Sequence, residues 1–211
     1  RIEDGEFDSN NPNVFYFLTT ESNKDLIATA PNPATPTVTR DGGGLWRLTF
    51  KDAQNPLLGA ELELLLNGGE NIYMSKPDNM AITKNGVIMI QEDPGNNDHV
   101  ARVVAYRIKD AKLATVAAFS SEHFAKGATK QITLDEESSG IIDVTSMMAK
   151  KGDTNTYFLL NAQVHTTGVI PARPDLAKRS EATKTKLNNV AVEGGQFYLM
   201  TVSDWNSVFS S

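Results

Sequence analysis

The 211-residue chain is acidic, with a net charge of −6, and contains no cysteine. The missing cysteines exclude disulfides, thiolate zinc sites and Cys nucleophiles within the chain. The acidic balance argues against a nucleic-acid partner, which needs a basic face, and no run approaches the ~18 apolar residues of a spanning helix.

Taken in chain order, strand signals dominate. Asp4-Gly-Glu-Phe7 opens the chain, and Val14-Phe-Tyr-Phe-Leu-Thr-Thr20 follows an Asn-Pro-Asn turn as an aromatic and β-branched run. Residues 23–40, rich in Pro, Thr and Ala, read as a long surface loop. Gly42-Gly-Gly44 reads as a turn before the alternating Leu45-Trp-Arg-Leu-Thr-Phe50, and Leu62-Glu-Leu-Leu-Leu66 ends at Asn67-Gly-Gly69. Met80–Thr83, Val87–Ile90, Ala101–Ile108 and Leu113–Phe119 are further strands, and Ser120-Ser-Glu-His-Phe124 reads as a single helical turn. Asp93-Pro-Gly-Asn-Asn-Asp98 lacks the ligand spacing of a calcium loop and reads as an ordinary turn. Gly140–Asp143, Tyr157–Leu160 and Gln196–Val202 are the last strands, with 165–189 read as a second long loop.

These strands fall into groups of four, the third group incomplete. Each group opens on acidic residues: Glu3-Asp4, Asp78-Asn79 and Glu136-Glu137, at intervals of roughly 60 to 75 residues. The pattern predicts an all-β fold: a β-propeller, with about three four-stranded antiparallel blades beginning near residues 3, 78 and 137, a partial ring. A β-sandwich of about ten strands is the competing arrangement. Arg1 is not a methionine and stands inside what reads as a functional motif, so the N-terminus reads as a truncation or cleavage point.

Carboxylates at the starts of adjacent inner strands repel one another in a narrow channel unless a cation joins them. Calcium takes 6 to 8 oxygen ligands, which suits Glu3, Asp78 and Glu137, with Asn79 and backbone carbonyls filling in, and Glu92 as a further strand-end candidate. Taken alone, Asp135-Glu-Glu137 also reads as a solvated acidic turn. Arg1 carries a guanidinium suited to bidentate phosphate contact. His99, His123 and His165 are too scattered for a metal motif, although His165 can face the channel mouth. Ser138-Ser139 lacks the Gly-x-Ser-x-Gly context of a nucleophile elbow.

Five short motifs occur in one order: Arg1-Ile-Glu3-Asp4, Pro77-Asp78-Asn79, Gln91-Glu92-Asp93, Glu136-Glu137-Ser-Ser-Gly140 and Glu193-Gly-Gly-Gln196. Together they resemble the PhoX-type alkaline phosphatases and their relatives, from Arg1 to about Met200. The resemblance implies a secreted or periplasmic six-bladed propeller that hydrolyses phosphate monoesters with iron and calcium in its channel. It implies a phosphate-binding role for Arg1 and metal ligation by Glu3, Asp78 and Glu137. Ile2 departs from the usual Pro. The family also holds iron through a Cys from the N-terminal half, which this chain does not contain. Two alternatives therefore stand beside the phosphatase: a calcium-binding structural or adhesive propeller without activity, and another single-calcium propeller hydrolase. The expected partners are phosphate monoesters, and the missing N-terminal half or another chain that completes the ring.

Overall fold

A computed structural model describes residues 1–21, 42–95, 99–165, 179–190 and 193–210. The loop expected at 23–40 and the turn residues 96–98 lie outside them. The chain is mostly β. Its strands form three antiparallel sheets, ordered β1-β2-β3-β4, β5-β6-β7-β8 and β11-β10-β9.

The first sheet comprises β1 (Ile2–Phe7), β2 (Val14–Thr19), β3 (Gly44–Phe50) and β4 (Ala60–Leu66). The second comprises β5 (Pro77–Ile82), β6 (Val87–Glu92), β7 (Arg102–Arg107) and β8 (Lys112–Ala118). The third comprises β9 (Glu136–Asp143), β10 (Thr156–His165) and β11 (Glu193–Val202). The expected grouping of strands therefore holds, and neighbours in sequence are neighbours in each sheet.

The side-chain pattern explains the stacking. In β2, buried Val14, Tyr16 and Leu18 alternate with half-buried Phe15, Phe17 and Thr19, the period of a strand with one covered face. In β6 every residue from Val87 to Glu92 is buried, because the second sheet is covered on both sides. Ile88 and Ile90 pack with Tyr16, Leu18, Leu45 and Leu66 of the first sheet. Val87 and Met89, on the opposite face, pack with Ile141, Phe158 and Leu160 of the third. Each fully buried side chain of this size contributes about 1.5–3 kcal/mol of transfer free energy.

The first strands of the sheets lie beside one another, β1 against β5 and β5 against β9. They do not pair through their backbones. Side chains of one strand instead take up the edge amides of the next: Met80 N–H donates to Asp4 Oδ2 (2.9 Å), Ile82 N–H to Glu6 Oε2 (2.8 Å) and Gly140 N–H to Asn79 Oδ1 (2.8 Å). An edge strand has unpaired amides, and an ionised acceptor makes the stronger bond. Each first strand also carries a register irregularity against its neighbour, between Ile2 and Gly5, at Asp78, and at Gly140 opposite Leu160/Asn161. Gly140 has φ +72°, a left-handed conformation that a residue with a Cβ resists, and a Cβ there would meet Asn161 Oδ1 at 2.7 Å.

Four details differ from the sequence reading. Gly42-Gly-Gly44 is more than a turn: Gly42 bridges to Ser75, and a Cβ on Gly43 would lie 1.9 Å from Pro77 Cδ, so close packing demands the glycine. The loop expected over 165–189 contains a helix, α3 (Glu181–Val190), preceded by residues 166–178 outside the description. Its Lys- and Thr-rich sequence has weak apolar periodicity, the signal by which helices are read. Asp135-Glu-Glu137 is not a solvated turn, since Glu136 is buried and begins β9. One-turn helices α2 (Thr145–Met148) and α4 (Trp205–Val208) were not expected, whereas α1 (Ser121–Phe124) is where one turn was predicted. Asp204 caps α4 by accepting from Asn206 N–H. Trp205 Nε1–H donates to Thr156 Oγ1 (2.9 Å), and its ring stacks on Phe209, tying the helix to the third sheet.

Candidate cation site at the first strands

The starts of β1, β5 and β9 and the ends of β2, β6 and β10 lie at one end of their sheets, because each pair is antiparallel. That end carries Glu3, Thr20, Asp78, Asp93, Glu137 and His165. Two of the expected ligands act on each other there: Glu3 and Asp78 each alter the other's ionisation. Asp93 acts in the same way on Glu137, and its charge also reaches Asp78. The four carboxyl groups therefore form one electrostatic chain across the three sheets.

Two cationic side chains among the described residues contact these carboxyls. Arg1 Nε–H donates to Glu3 Oε1 at 2.8 Å, with the Arg1 side chain 76% exposed. His165 Nε2 lies 3.6 Å from Glu137 Oε2. Thr20 Oγ1–H donates to Glu3, and that bond, with the help of Arg1, holds Glu3 below the usual carboxylate value. Asp78 and Glu137 move the other way. Burial pushes Asp78 up, and the Glu3 charge adds to it. Burial also pushes Glu137 up, reinforced by Asp93 and opposed by His165. A carboxyl that resists ionisation beside other carboxylates marks a local shortage of positive charge.

Asn79 and Glu92 occupy different surroundings. Asn79 faces the third sheet, and its Oδ1 takes the Gly140 amide. Glu92 is fully buried, and both its oxygens are engaged. Oε1 accepts from Ser75 N–H (2.8 Å) and Arg102 Nη2 (2.7 Å). Oε2 accepts from Arg102 N–H (3.0 Å) and Arg102 Nε (2.9 Å), with His99 Nε2 at 3.2 Å. His99 in turn meets the Tyr73 hydroxyl through Nδ1 at 2.9 Å. Burial works against the Glu92 charge, but the bonds from Arg102 and His99 outweigh it and hold the group below its usual value. This is an internal ion-pair hub that fastens the segment before β5 to β6 and β7. Sequence reasoning treated Glu92 as a ligand candidate because it had no means of placing Arg102 against it.

Asp93 is the member of the cluster that the sequence reading passed over. The available signal was strand parity: Glu92 and Asp93 are adjacent, so if one turns inward at the strand end the other is free to turn the opposite way.

Comparison with family models, curated proteins and solved structures finds no match to this chain.

Among the described residues, no group of three or more His, Cys, Asp or Glu side chains is placed to hold a metal ion. The carboxylate and hydroxyl oxygens at this end are hard donors of the kind calcium or magnesium takes, and His165 brings a nitrogen to the same end. Among the described residues no helix is long and apolar enough to cross a membrane.

A second concave feature lies between the second and third sheets. It is a cleft of about 650 Å³ lined by Val103, Ala117, Phe119, Ala162, Tyr198 and Met200. At its inner end Gln91 Nε2–H donates to Ser138 Oγ (2.5 Å). It carries no carboxylate lining and is separate in chemistry from the acidic end.

Proposed function

We propose that the chain is part of a secreted or periplasmic β-propeller that binds divalent cations, calcium foremost, where its first strands converge, and that the complete ring hydrolyses phosphate monoesters. The observation that carries this reading is that Glu3, Asp78, Asp93 and Glu137 stand at one end of the three sheets, where β1, β5 and β9 lie side by side. A cation placed among them relieves their mutual repulsion, and the same ion can polarise a phosphoryl oxygen. Arg1 stands beside Glu3 at the exposed margin of this end, where a guanidinium can meet two oxygens of a phosphate and stabilise charge that develops on it. Iron belongs to this reading only through the resemblance to PhoX-type enzymes, which take a Cys from elsewhere in the ring.

In this reading the three sheets are consecutive blades, and the side-chain caps Asp4–Met80 and Asn79–Gly140 join one inner strand to the next. The incomplete set of sheets leaves the acidic end open to water, where Arg1 is strongly solvated and its electrostatic effect is small. The chain alone is therefore expected to bind calcium but not to turn over p-nitrophenyl phosphate. Calorimetric titration with calcium tests the first statement: binding that is lost in Asp78→Asn and in Glu137→Gln is expected, and no binding at all would end the cation reading. In the complete ring, Arg1→Ala should lower phosphate-monoester turnover while leaving calcium affinity in place.

The structural alternative, a calcium-stabilised propeller without activity, is favoured by one observation: the Arg1 guanidinium is already bonded to Glu3. It predicts calcium binding with no turnover even in the complete ring.

A further inference from the structure

The cleft between the second and third sheets differs from the outward faces of the molecule, because both its walls belong to this chain. Val103, Ala117 and Phe119 line it on one side, and Leu160, Ala162 and Met200 on the other. Its volume of about 650 Å³ is that of a site for a small organic molecule. Arg102 also borders it, but that guanidinium is committed to Glu92 and to the Tyr73 carbonyl. The described lining therefore offers apolar surface and no uncommitted charge.

One polar pair closes its inner end. Gln91 stands opposite Val103 across β6 and β7, and residues directly opposite in an antiparallel pair project from the same face. Gln91 therefore lies on the face of the second sheet that forms the cleft wall. Ser138 of β9 lines the cleft from the third sheet. Both side chains are buried, at 0% and 3% exposure. Gln91 Nε2–H donates to Ser138 Oγ, whereas Gln91 Oε1 has no hydrogen-bond partner among the described residues. A serine hydroxyl that accepts a bond still has a proton to give. A buried acceptor without a donor destabilises more than a typical hydrogen bond stabilises, and an unmatched group of this kind in a native protein calls for a partner. Met89, two residues earlier on the same face, packs with the third sheet through an apolar side chain, so the place beside Val103 does not itself demand an amide.

We propose that the cleft binds an uncharged, largely apolar organic molecule that carries a hydroxyl group at its inner end. The hydroxyl accepts the Ser138 proton and gives its own to Gln91 Oε1, while the body of the molecule covers Val103, Leu160, Ala162 and Met200. A carboxylate in that place brings a charge with no cation to meet it, and an ether or a ketone leaves Gln91 Oε1 without a donor. The cleft and the acidic end use different residues, so this inference stands apart from the cation reading.

Amide-detected NMR titration of the chain with 2-naphthol, 2-methylnaphthalene and 2-naphthoate tests it, the three probes sharing one ring system and differing in a single substituent. 2-Naphthol is expected to shift the signals of Val103, Ala162 and Met200 and to bind about tenfold more tightly than 2-methylnaphthalene, which leaves the polar pair unmatched. 2-Naphthoate is expected to leave those signals in place. The doubly substituted Gln91→Met/Ser138→Ala chain, with its fold checked by circular dichroism, should bind 2-methylnaphthalene at least as well as 2-naphthol. Ala117→Trp, on an exposed part of the wall, should weaken both. Equal affinity of the unaltered chain for these two probes would overturn the proposal. So would shifts centred on the outward faces, near Phe197 or Leu62, or a preference for 2-naphthol that survives the double substitution. Failure of every probe to bind would overturn it as well, and would leave Gln91 as a buried amide that the fold merely tolerates.

Discussion

Glu92 and Asp93 are adjacent in the chain and end in opposite electrostatic settings. Glu92 turns into the protein and meets Arg102, His99 and the Ser75 amide, whereas Asp93 lies at the open end, where its charge acts on Glu137. The first carboxylate has as much positive charge as it needs, and its pair is complete. The second joins three other acids, two of which have a cationic partner, Glu3 in Arg1 and Glu137 in His165. A satisfied buried carboxylate fixes structure, while an excess of carboxylates holds affinity in reserve for a cation.

The sharpest way to break this comparison is to remove one partner from the closed hub. Arg102→Ala leaves Glu92 buried without its guanidinium, and single truncations of buried pairs cost about 3–5 kcal/mol. Urea unfolding should show a loss of that order, with Glu92→Ala similar in direction. Replacing both residues by apolar side chains of similar volume should recover much of it. If Arg102→Ala leaves the midpoint unchanged, the hub does not hold the segment before β5.

The acidic end should respond to calcium and the hub should not. A ligand at about a hundred times its dissociation constant stabilises the native state by about 2.7 kcal/mol, read as a rise in melting temperature. The doubly substituted Asp78→Asn/Glu137→Gln chain should lose most of that rise. In chelator it should be no less stable than the unaltered chain, since two ionisable groups that resist ionisation have become neutral. A variant much less stable in chelator would mean that these carboxyls are structural, as Glu92 is.

A smaller effect lies in pH. Asp78 and Glu137 have raised values in the folded state, so in chelator folding favours their protonated forms. Their contribution to stability grows as pH falls from neutral toward the ordinary carboxylate range and is complete below it. Glu92 is lowered, so its contribution is present above the ordinary range and is lost as pH falls through its folded value. Melting in chelator should therefore show a shallow gain on mild acidification and then a loss in stronger acid. The gain should shrink in the Asp78→Asn/Glu137→Gln chain, where Glu6 and Glu136 are still raised by burial, and the loss should persist.

Much of the fold was legible because period-2 patterning and turn residues act locally. Val14–Thr19 and Leu45–Phe50 state their own faces, and the acidic openings at Glu3, Asp78 and Glu136 mark the start of each sheet. The short helices were less legible: Trp205–Val208 is held by Trp205 against Thr156 and Phe158, contacts made across nearly fifty positions. The convergence of Glu3 and Asp78 could be anticipated from their equivalent places in successive groups. The withdrawal of Glu92 and Asn79 into other contacts could not, since Arg102 and Gly140 lie on neighbouring elements whose approach only the folded chain defines.

The caps at Asp4, Glu6 and Asn79 bear on how such a chain can grow in evolution. If β1 and β5 were zipped together by main-chain bonds, the sheets would merge and their number would be set by a single closed hydrogen-bond pattern. Here each sheet is joined to the next through a few side chains on its first strand and a layer of apolar contacts. A duplicated segment of the gene that brings one acceptor, one edge amide and two apolar faces carries all that is required to enter the series. Sheet number can then change by whole units, and residues at the acidic end, which the junction does not use, can diverge toward whatever ion or substrate the enlarged assembly comes to hold.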